Sequence, residues 1–391
     1  MSTRSAMTHG RARRFIVSTH PKNSTDSCGG GRSTPSTPTS SSTAGSRVPE
    51  KVNSPSLSSS PASADSPCTK ITRSTSANRA AMIKSQSLRL NLPYLLGVYA
   101  AVNAIRDAYL LVDGPQCISF KAEHLSGKHD WRSTLLDPSG FHRIVMTGTT
   151  WDTIMFNREH RIANLLDRVV QRPDAGLVMV SSLTMCGLAG IQYDRLIKPL
   201  RKKTSTPFLE IRCDSLDQDW LDGYAAVWEG ISRNVEIQPG KRKRNAVVLV
   251  GHLMDRNEGD QIGNLAELDR MLKALSLDLV AAWPSGGRYG DLAQARQASA
   301  VVSLPYARQA ASLLARRLQV PLIETELPFG LESSARWVRA VAAPLRRGAA
   351  AERFIEAELH RAVPALEWAA PQVFLNRRLL YLGDPHLLEG F

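Results

Sequence analysis

The chain has 391 residues, enough for two or three domains, and a formal net charge of +13. Residues 1–86 contain 12 Lys and Arg against 3 Asp and Glu, so the rest of the chain carries a net charge of only +4. Because a nucleic-acid-binding fold concentrates basic residues within its folded part, this distribution argues against a nucleic-acid partner.

The cysteine content excludes a disulfide scaffold. There are five cysteines, an odd number, with no C-x-x-C pair and no zinc-type spacing. No apolar run approaches the roughly 20 residues that a membrane-spanning helix needs, and the amino terminus lacks the apolar core of a secretory signal. We therefore expect a cytoplasmic protein with reduced thiols and no membrane partner.

Residues 1–86 are predicted to be a disordered extension. They are rich in Ser, Thr and Pro, as in STPSTPT at 33–39, and such a composition buries too little apolar surface to offset chain entropy. The extension is also basic and poor in acidic residues, as organellar transit peptides are. The alternatives are an extension without function and a start codon assigned too far upstream.

Residues 87–238 are predicted to form a first Rossmann-like α/β domain. Apolar residues at helical spacing mark the helices, and short continuous apolar runs mark the strands. The predicted strands are 107–113, 144–146, 176–180 and 208–211, and the predicted helices are 97–106, 161–171, 194–203 and 220–231. This alternation is typical of a parallel sheet with crossover helices.

The pattern restarts after a basic tetrapeptide, KRKR at 241–244, which we interpret as a solvated link between domains. The alternative is a nuclear-localisation or phosphate-binding patch. Residues 245–345 predict a second Rossmann-like domain, with strands at 246–250, 279–283, 300–304 and 321–324 and helices at 262–275, 291–298, 307–318 and 333–342. Residues 346–391 predict a helix over 351–367 and the start of a truncated third domain.

The segment 110–117, LLVDGPQC, is the strongest candidate for chemistry. Its apolar run predicts a buried strand that stops at Gly114 and Pro115 and is followed by Cys117. Ligands of open α/β sheets bind outside the carboxyl ends of the strands. A thiolate near free backbone N–H groups suits a reactive cysteine or a metal-cluster ligand.

Other polar residues follow the strands of the first predicted domain. Cys186 and Cys213 come after two later strands, where each is either a ligand or a small buried residue. A dense polar segment after Cys117 offers metal ligands or proton donors, and the alternative is a solvated helix face. Its residues are Lys121, Glu123, His124, Lys128, His129 and Asp130.

Motifs for nucleotide chemistry are missing. The segment 251–260 follows the first strand of the second predicted domain, where an anion could bind a helix N-terminus. It lacks the G-x-G-x-x-G of a dinucleotide site. The chain also has no P-loop and no G-x-S-x-G elbow, so we expect neither an ATP site nor Ser-His-Asp hydrolysis.

The ordered series of segments in this chain resembles the nitrogenase component 1 proteins, which include the molybdenum–iron protein subunits, their scaffold relatives and the dark-operative protochlorophyllide reductases. The series spans about 88–391. The resemblance is carried by GVYAAVNAIRD at 97–107, VDGPQC at 112–117, 184–193 as a second cluster loop, DWLDGY at 219–224, 255–266, LPFG at 327–330 and GDP at 383–385.

The resemblance implies tandem Rossmann-like domains around a metal cluster. It implies an iron–sulfur cluster, P-cluster-like or [4Fe–4S], that is shared with a paralogous subunit. It further implies an ATP-hydrolysing iron protein as the electron donor and a small-molecule substrate, and the missing P-loop agrees with an ATP site on that partner. Gly114, Pro115 and Cys117 correspond to the family's cluster loop, and Cys186 is a second candidate ligand.

The chain departs from the family pattern at several ligand positions. The Gly114–Cys117 element is one residue shorter than the commonest form, and no cysteine lies near 89–91. The family's later cysteine aligns nearer Thr184 than Cys186. The cofactor cysteine of the second domain is absent, and a ligand of the third domain would fall beyond residue 391. We therefore do not expect dinitrogen as the substrate, whereas tetrapyrroles and other unsaturated or sulfur-containing molecules stay open.

Three functions fit these observations. The first is an oxidoreductase subunit that relays electrons through a cluster bound by Cys117. The second is a non-catalytic cluster-assembly scaffold or structural partner subunit of the same family, which the missing ligands favour. The third is a metal-free Rossmann-type enzyme with Cys117 as nucleophile, and the absence of a paired base and of a dinucleotide motif counts against it.

Overall fold

The structure of the protein is a computed structural model, which describes residues 92–117, 135, 142–212, 217–237, 240–254, 261–378, 381, 384 and 386–390. All of them belong to one compact unit, Arg73–Phe391. The predicted extension 1–86, the polar segment after Cys117 and Cys213 lie outside the described residues. So does part of the carboxyl-terminal segment where the third domain is predicted to begin, including 379–380 and 382–383.

The first sheet has four parallel strands in the order β2-β1-β3-β4. These are β1 (Ala108–Asp113), β2 (Ile144–Met146), β3 (Leu177–Ser182) and β4 (Phe208–Ile211). Its helices are α1 (Tyr94–Asn103), α2 (Glu159–Val170), the one-turn α3 (Thr184–Gly187), α4 (Tyr193–Arg201) and α5 (Trp220–Asn234). The central strand β1 pairs with β2 and β3 along its length and is buried throughout.

The second sheet repeats this topology with parallel strands in the order β6-β5-β7-β8. These are β5 (Ala246–Val250), β6 (Asp278–Trp283), β7 (Ala300–Ser303) and β8 (Leu322–Glu324). Its helices are α6 (Gln261–Ala274), α7 (Arg308–Leu318), α8 (Leu331–Ala342) and α9 (Gly348–Val373), and short 3-10 helices cover Tyr289–Gln297, Pro305–Ala307 and Leu388–Gly390.

The two sheets share a central layer formed by α1, α5 and α7. Alternate residues of β1 and β5, such as Leu110 and Val248, join one continuous apolar core with these helices. Gly97 and Gly223 let α1 and α5 cross closely, because a Cβ at either position would lie about 2 Å from a backbone oxygen of the other helix. The outer faces carry α2 and α4 on the first sheet, and α6 and α8 on the second.

The fold class predicted from the sequence is confirmed: the protein is α/β with two parallel four-stranded sheets. Most element bounds lie within three residues of the predicted ones, the one-turn helix α3 is not among the predicted elements, and two elements differ further. Residues 289–297 form a 3-10 helix instead of an α-helix, and α9 continues past Pro364 and Pro371 to Val373. Among the described residues, no helix has both the length and the apolar character needed to cross a bilayer.

Candidate functional site

Cys117 lies at the carboxyl edge of the first sheet, four residues after the end of β1. The Gly114 amide donates to Thr147 Oγ1 at 2.9 Å, and the Thr149 amide donates to the Gly114 carbonyl at 2.9 Å. The turn is therefore tied to the segment that follows β2. Cys117 itself is exposed, as a thiol that receives a ligand from outside the chain must be.

Asp113, the last residue of β1, organises this edge. Its side chain is fully buried. Thr147 and Thr149 donate to Oδ1 at 2.7 and 3.0 Å, and Arg158 and Tyr193 donate to Oδ2 at 3.0 and 2.8 Å. The carboxylate thus joins the segments after β1, β2 and β3. It holds the Cys117 turn in a fixed place relative to its neighbours.

The Asp113–Arg158 pair is a buried ion pair, with side chains 0% and 5% exposed. Burial and the adjacent Asp113 carboxylate raise the pKa of Tyr193 well above its ordinary value, so Tyr193 stays a hydrogen-bond donor. Each partner of such a pair needs the other, because an unpaired charge in the interior is strongly unfavourable. The edge of the first sheet is therefore a rigid polar frame beneath an exposed thiol.

Cys186 lies in the one-turn helix α3 after β3 and is fully buried. Burial and the negative charge of Asp113 raise the pKa of its thiol to about 11, although Arg158 partly opposes the shift. A thiolate, not a thiol, binds metal. The environment of Cys186 therefore favours a protonated thiol.

Tyr99 on α1 provides an observation that bears on what Cys117 binds. Its ring is fully buried, and its hydroxyl has no hydrogen-bond partner within the described part of the chain. Burial raises the pKa of Tyr99 above its ordinary value, and the negative charge that an ionised Cys117 would carry adds to that shift. A buried hydroxyl without a partner costs about 1–3 kcal/mol. The Tyr99 hydroxyl is therefore a buried donor that still lacks an acceptor among the described residues.

The described residues contain no group of three or more His, Cys, Asp or Glu side chains that could hold a metal ion. An iron–sulfur cluster normally has four protein ligands. The described donors therefore fit a cluster only if Cys117 contributes one ligand and other ligands come from a second chain or from residues outside the described ranges.

Four large apolar side chains are exposed in the segments beside this edge. Trp151, Met155 and Phe156 follow β2 and are 78%, 87% and 71% exposed, and Leu188 follows β3 and is 85% exposed. Neighbouring backbone bonds bring these segments together: the Leu183 amide donates to the Asp113 carbonyl at 3.0 Å. Exposed apolar side chains that form a contiguous patch mark an interaction surface.

The carboxyl edge of the second sheet has a different character. The Tyr224 hydroxyl donates to the His252 carbonyl at 2.7 Å, and the Met254 amide donates to Tyr224 at 3.2 Å. Tyr306 donates to Asp384 from the carboxyl-terminal segment. Most of the predicted anion-binding segment, 255–260, lies outside the described residues.

Sequence reasoning identified Cys117 but not the residues that fix its surroundings. A signal for Asp113 was present, because a carboxylate that ends an apolar strand such as LLVD needs buried partners. No local pattern marks Arg158 or Tyr193, which are 45 and 80 residues away along the chain. Tyr99 is part of an apolar helix, and this pattern predicts a core residue.

Known proteins of similar fold include two structures of nitrogenase Cp1. One, determined at pH 5, has a TM-score of 0.55 and 14% identity over 71% of this chain and 57% of that chain. The other, at pH 6.5, has a TM-score of 0.61 and 17% identity over 78% and 69%. The chain thus spans little more than half of the first structure's chain, and the likeness shows the fold alone.

Sequence comparisons add the family. No curated protein matches the chain in a direct sequence search. A family model described as nitrogenase component 1 type oxidoreductase matches residues 94–391, which include every strand and helix of both sheets. The chain therefore belongs to the nitrogenase component 1 type oxidoreductase family.

Proposed function

We propose that this protein is a subunit of a nitrogenase-like oxidoreductase that passes electrons through an iron–sulfur cluster to a small-molecule substrate in the cytoplasm. The observation that supports it most directly is the exposed Cys117 on the frame built around Asp113. The buried hydroxyl of Tyr99, which has no hydrogen-bond partner among the described residues, adds to it. Because the chain belongs to a family of oxidoreductases, we interpret this arrangement as part of a redox site.

The cluster, P-cluster-like or [4Fe–4S], would supply one-electron redox chemistry at low potential. Cys117 would be this chain's ligand, with Gly114 and Pro115 forming its turn. The Tyr99 hydroxyl would donate a hydrogen bond toward sulfur, which stabilises the more negatively charged, reduced state. Asp113 and Arg158 would act as positioning residues, because they hold the turn and do not reach the thiol.

A second chain would complete the site. Trp151, Met155, Phe156 and Leu188 form an exposed apolar surface at the same edge, and burial by a paralogous subunit would remove it from water. The described residues lack a full ligand set, which also favours a shared cluster. An ATP-dependent iron protein would supply the electrons.

The test is anaerobic co-expression with a paralogous subunit and an iron protein, followed by iron analysis and visible absorption. We expect iron in the wild-type complex, loss of iron and of the visible band in Cys117→Ala, and retention in the matched variant Cys186→Ala. An iron-free wild-type complex would overturn the cluster proposal. Iron retained in Cys117→Ala would overturn the ligand assignment.

Two further variants separate parts of the proposal. Tyr99→Phe should keep the iron but lower the midpoint potential, because it removes one hydrogen bond to sulfur. Trp151→Glu with Phe156→Glu should dissociate the complex in size-exclusion chromatography, whereas Trp368→Glu, an equally exposed residue of α9, should not.

The alternative within the family is a non-catalytic scaffold or structural subunit, which the lack of a full ligand set among the described residues favours. ATP hydrolysis by the iron protein, coupled to oxidation of the reduced donor in the presence of this subunit, distinguishes the two. A scaffold would hold or transfer iron without supporting that coupled turnover.

A further inference from the structure

Basic side chains converge at the amino edge of the second sheet, which is opposite the edge that carries Tyr306 and His252. The tetrapeptide 241–244 precedes β5, Arg296 precedes β7 and Arg316 precedes β8. Backbone contacts join these segments: the Lys243 amide donates to the Gln297 carbonyl at 3.0 Å, and Gly240 lies against the aliphatic part of Arg296.

Three other arginines at this edge donate hydrogen bonds to groups of the protein itself. Arg242 donates to the Leu318 carbonyl, Arg317 donates to the Val235 carbonyl at 2.9 Å, and Arg347 donates to Asn245 Oδ1 at 2.9 Å. Their guanidinium groups are therefore used within the protein. They hold the chain on which the remaining cations are displayed.

Five further cations at this edge are exposed and have no carboxylate partner within the described ranges. We call them the amino-edge cations: Lys241, Lys243, Arg244, Arg296 and Arg316. Two exposed carboxylates, Glu236 and Asp278, lie in the same edge segments, and no ion pair among the described residues joins either of them to these cations. The edge therefore carries a concentrated positive field.

The composition of this edge discriminates between classes of partner. None of the large exposed apolar side chains of the described chain lies in its segments. Protein interfaces have an apolar or aromatic centre and few lysines, and membrane-surface binding uses apolar residues alongside basic ones. A surface where exposed cations outnumber carboxylates and large exposed apolar side chains are lacking among the described residues fits a ligand whose charge is regularly repeated and whose recognition needs no apolar contact.

We propose that the amino-edge cations bind the phosphate backbone of a nucleic acid, without sequence preference. Backbone phosphates are contacted by Lys and Arg and carry no sequence information. The absence of exposed aromatic rings from the described part of this edge is consistent with contacts to phosphates and not with stacking on bases. From the sequence alone, a nucleic-acid partner is not expected, because the folded part has a net charge of only +4. The fold brings together cations that lie far apart along the chain.

The test uses the full chain and fluorescence anisotropy with a labelled 20-base-pair DNA duplex and a single-stranded RNA of equal length, over a salt series. The edge variant carries Gln at all five amino-edge positions. The matched control carries Gln at five exposed cations on other faces, Arg106, Arg168, Lys202, Lys203 and Arg353. Both variants keep the basic extension 1–86, so a difference between them reports on the edge alone.

We expect the edge variant to bind at least about tenfold more weakly than the control, with the slope of log affinity against log salt reduced by about 4. Tighter binding of the duplex or of the RNA identifies the source of the phosphates. Equal affinity of the two variants would overturn the proposal. So would binding of polyglutamate or of phosphatidylserine vesicles as tightly as nucleic acid, which would indicate an acidic protein or a membrane surface.

Discussion

The two sheets have the same strand order, but the carboxyl edge of the first is exposed and that of the second is covered by the chain itself. The edge of the first sheet is exposed: Cys117 and four large apolar side chains face outward above a buried ion pair. The edge of the second sheet is covered by the chain itself, since Tyr306 bonds to Asp384 and a Cβ at Gly330 would lie 2.4 Å from the Gly390 carbonyl oxygen.

This difference shows that two sheets of the same topology can use their carboxyl edges in different ways. Open α/β sheets bind ligands outside the carboxyl ends of their strands. In the second sheet, that position is used for contacts within the chain. In the first, a buried polar layer holds a turn that ends in an exposed thiol, which is the arrangement that the proposed shared site requires.

The largest expected effect is at the frame of the first sheet. Asp113→Ala leaves Arg158 charged and unpaired in the interior, so we expect the free energy of unfolding to fall by about 3–5 kcal/mol in urea denaturation. Glu332→Ala is the matched control, because it breaks the exposed Arg336–Glu332 pair and should change stability by less than about 1 kcal/mol. Equal losses in both variants would show that Arg158 finds another partner or reaches water.

The next effect separates the two cysteines. At neutral pH, a thiol with its pKa raised to about 11 has a thiolate fraction about a hundredfold lower than an ordinary thiol. We therefore expect iodoacetamide at pH 8 to modify Cys117 in the isolated chain long before Cys186, with peptide mass spectrometry reporting each site. Cys186 should react as the pH approaches 11 or after unfolding in urea. Comparable rates at pH 8 would contradict the buried, protonated state of Cys186.

The second edge depends on close backbone packing at Gly251. This residue has φ +90°, and a Cβ there would lie 2.6 Å from the Leu304 carbonyl oxygen and 2.8 Å from the Ala307 amide nitrogen. We expect Gly251→Ala to destabilise the protein by about 2 kcal/mol in urea denaturation. Gly263→Ala is the control: nothing lies within 4 Å of its Cβ position in α6, and the change should stabilise by about 0.5–1 kcal/mol.

The sequence predicts the order of the elements well because apolar runs and helical spacing are local signals. The strands β2, β4 and β5 have the predicted bounds, and Cys117 falls at a sheet edge as its motif predicts. The partners of Asp113 could not be predicted in this way. Arg158 and Tyr193 reach it only after β1, β2 and β3 have paired, and pairing across such distances leaves no periodic pattern in the chain.

The clustering of cations at the amino edge of the second sheet could not be predicted from the sequence either. The tetrapeptide 241–244 is visible in the sequence, but Arg296 and Arg316 lie more than 50 positions away. They join it because β5, β7 and β8 are neighbours in the sheet. Net charge and charge runs therefore underestimate a surface that the topology assembles.

The smallest expected effect tests how the second edge is covered. Tyr306→Phe removes the hydroxyl that donates to Asp384, a partly exposed carboxylate that water can solvate in its place, so we expect a loss of about 1 kcal/mol. Hydrogen exchange of 386–390 should become faster, because this bond fixes the segment to the sheet edge. Tyr289→Phe, whose hydroxyl has no hydrogen bond within the described residues, should leave that exchange unchanged.

The hydrogen bond from Tyr306 to Asp384 depends on pH, because the Tyr306 hydroxyl must stay protonated to donate it. Burial and the Asp384 carboxylate raise the pKa of Tyr306 above the ordinary tyrosine value of 10, so the folded protein keeps the proton where the unfolded chain releases it. The wild type should therefore lose stability as the pH rises above 10, and Tyr306→Phe should lose less. The stability difference between the two proteins should be largest below pH 10 and shrink above it. A difference that grows with pH would show that the second edge is held by other contacts.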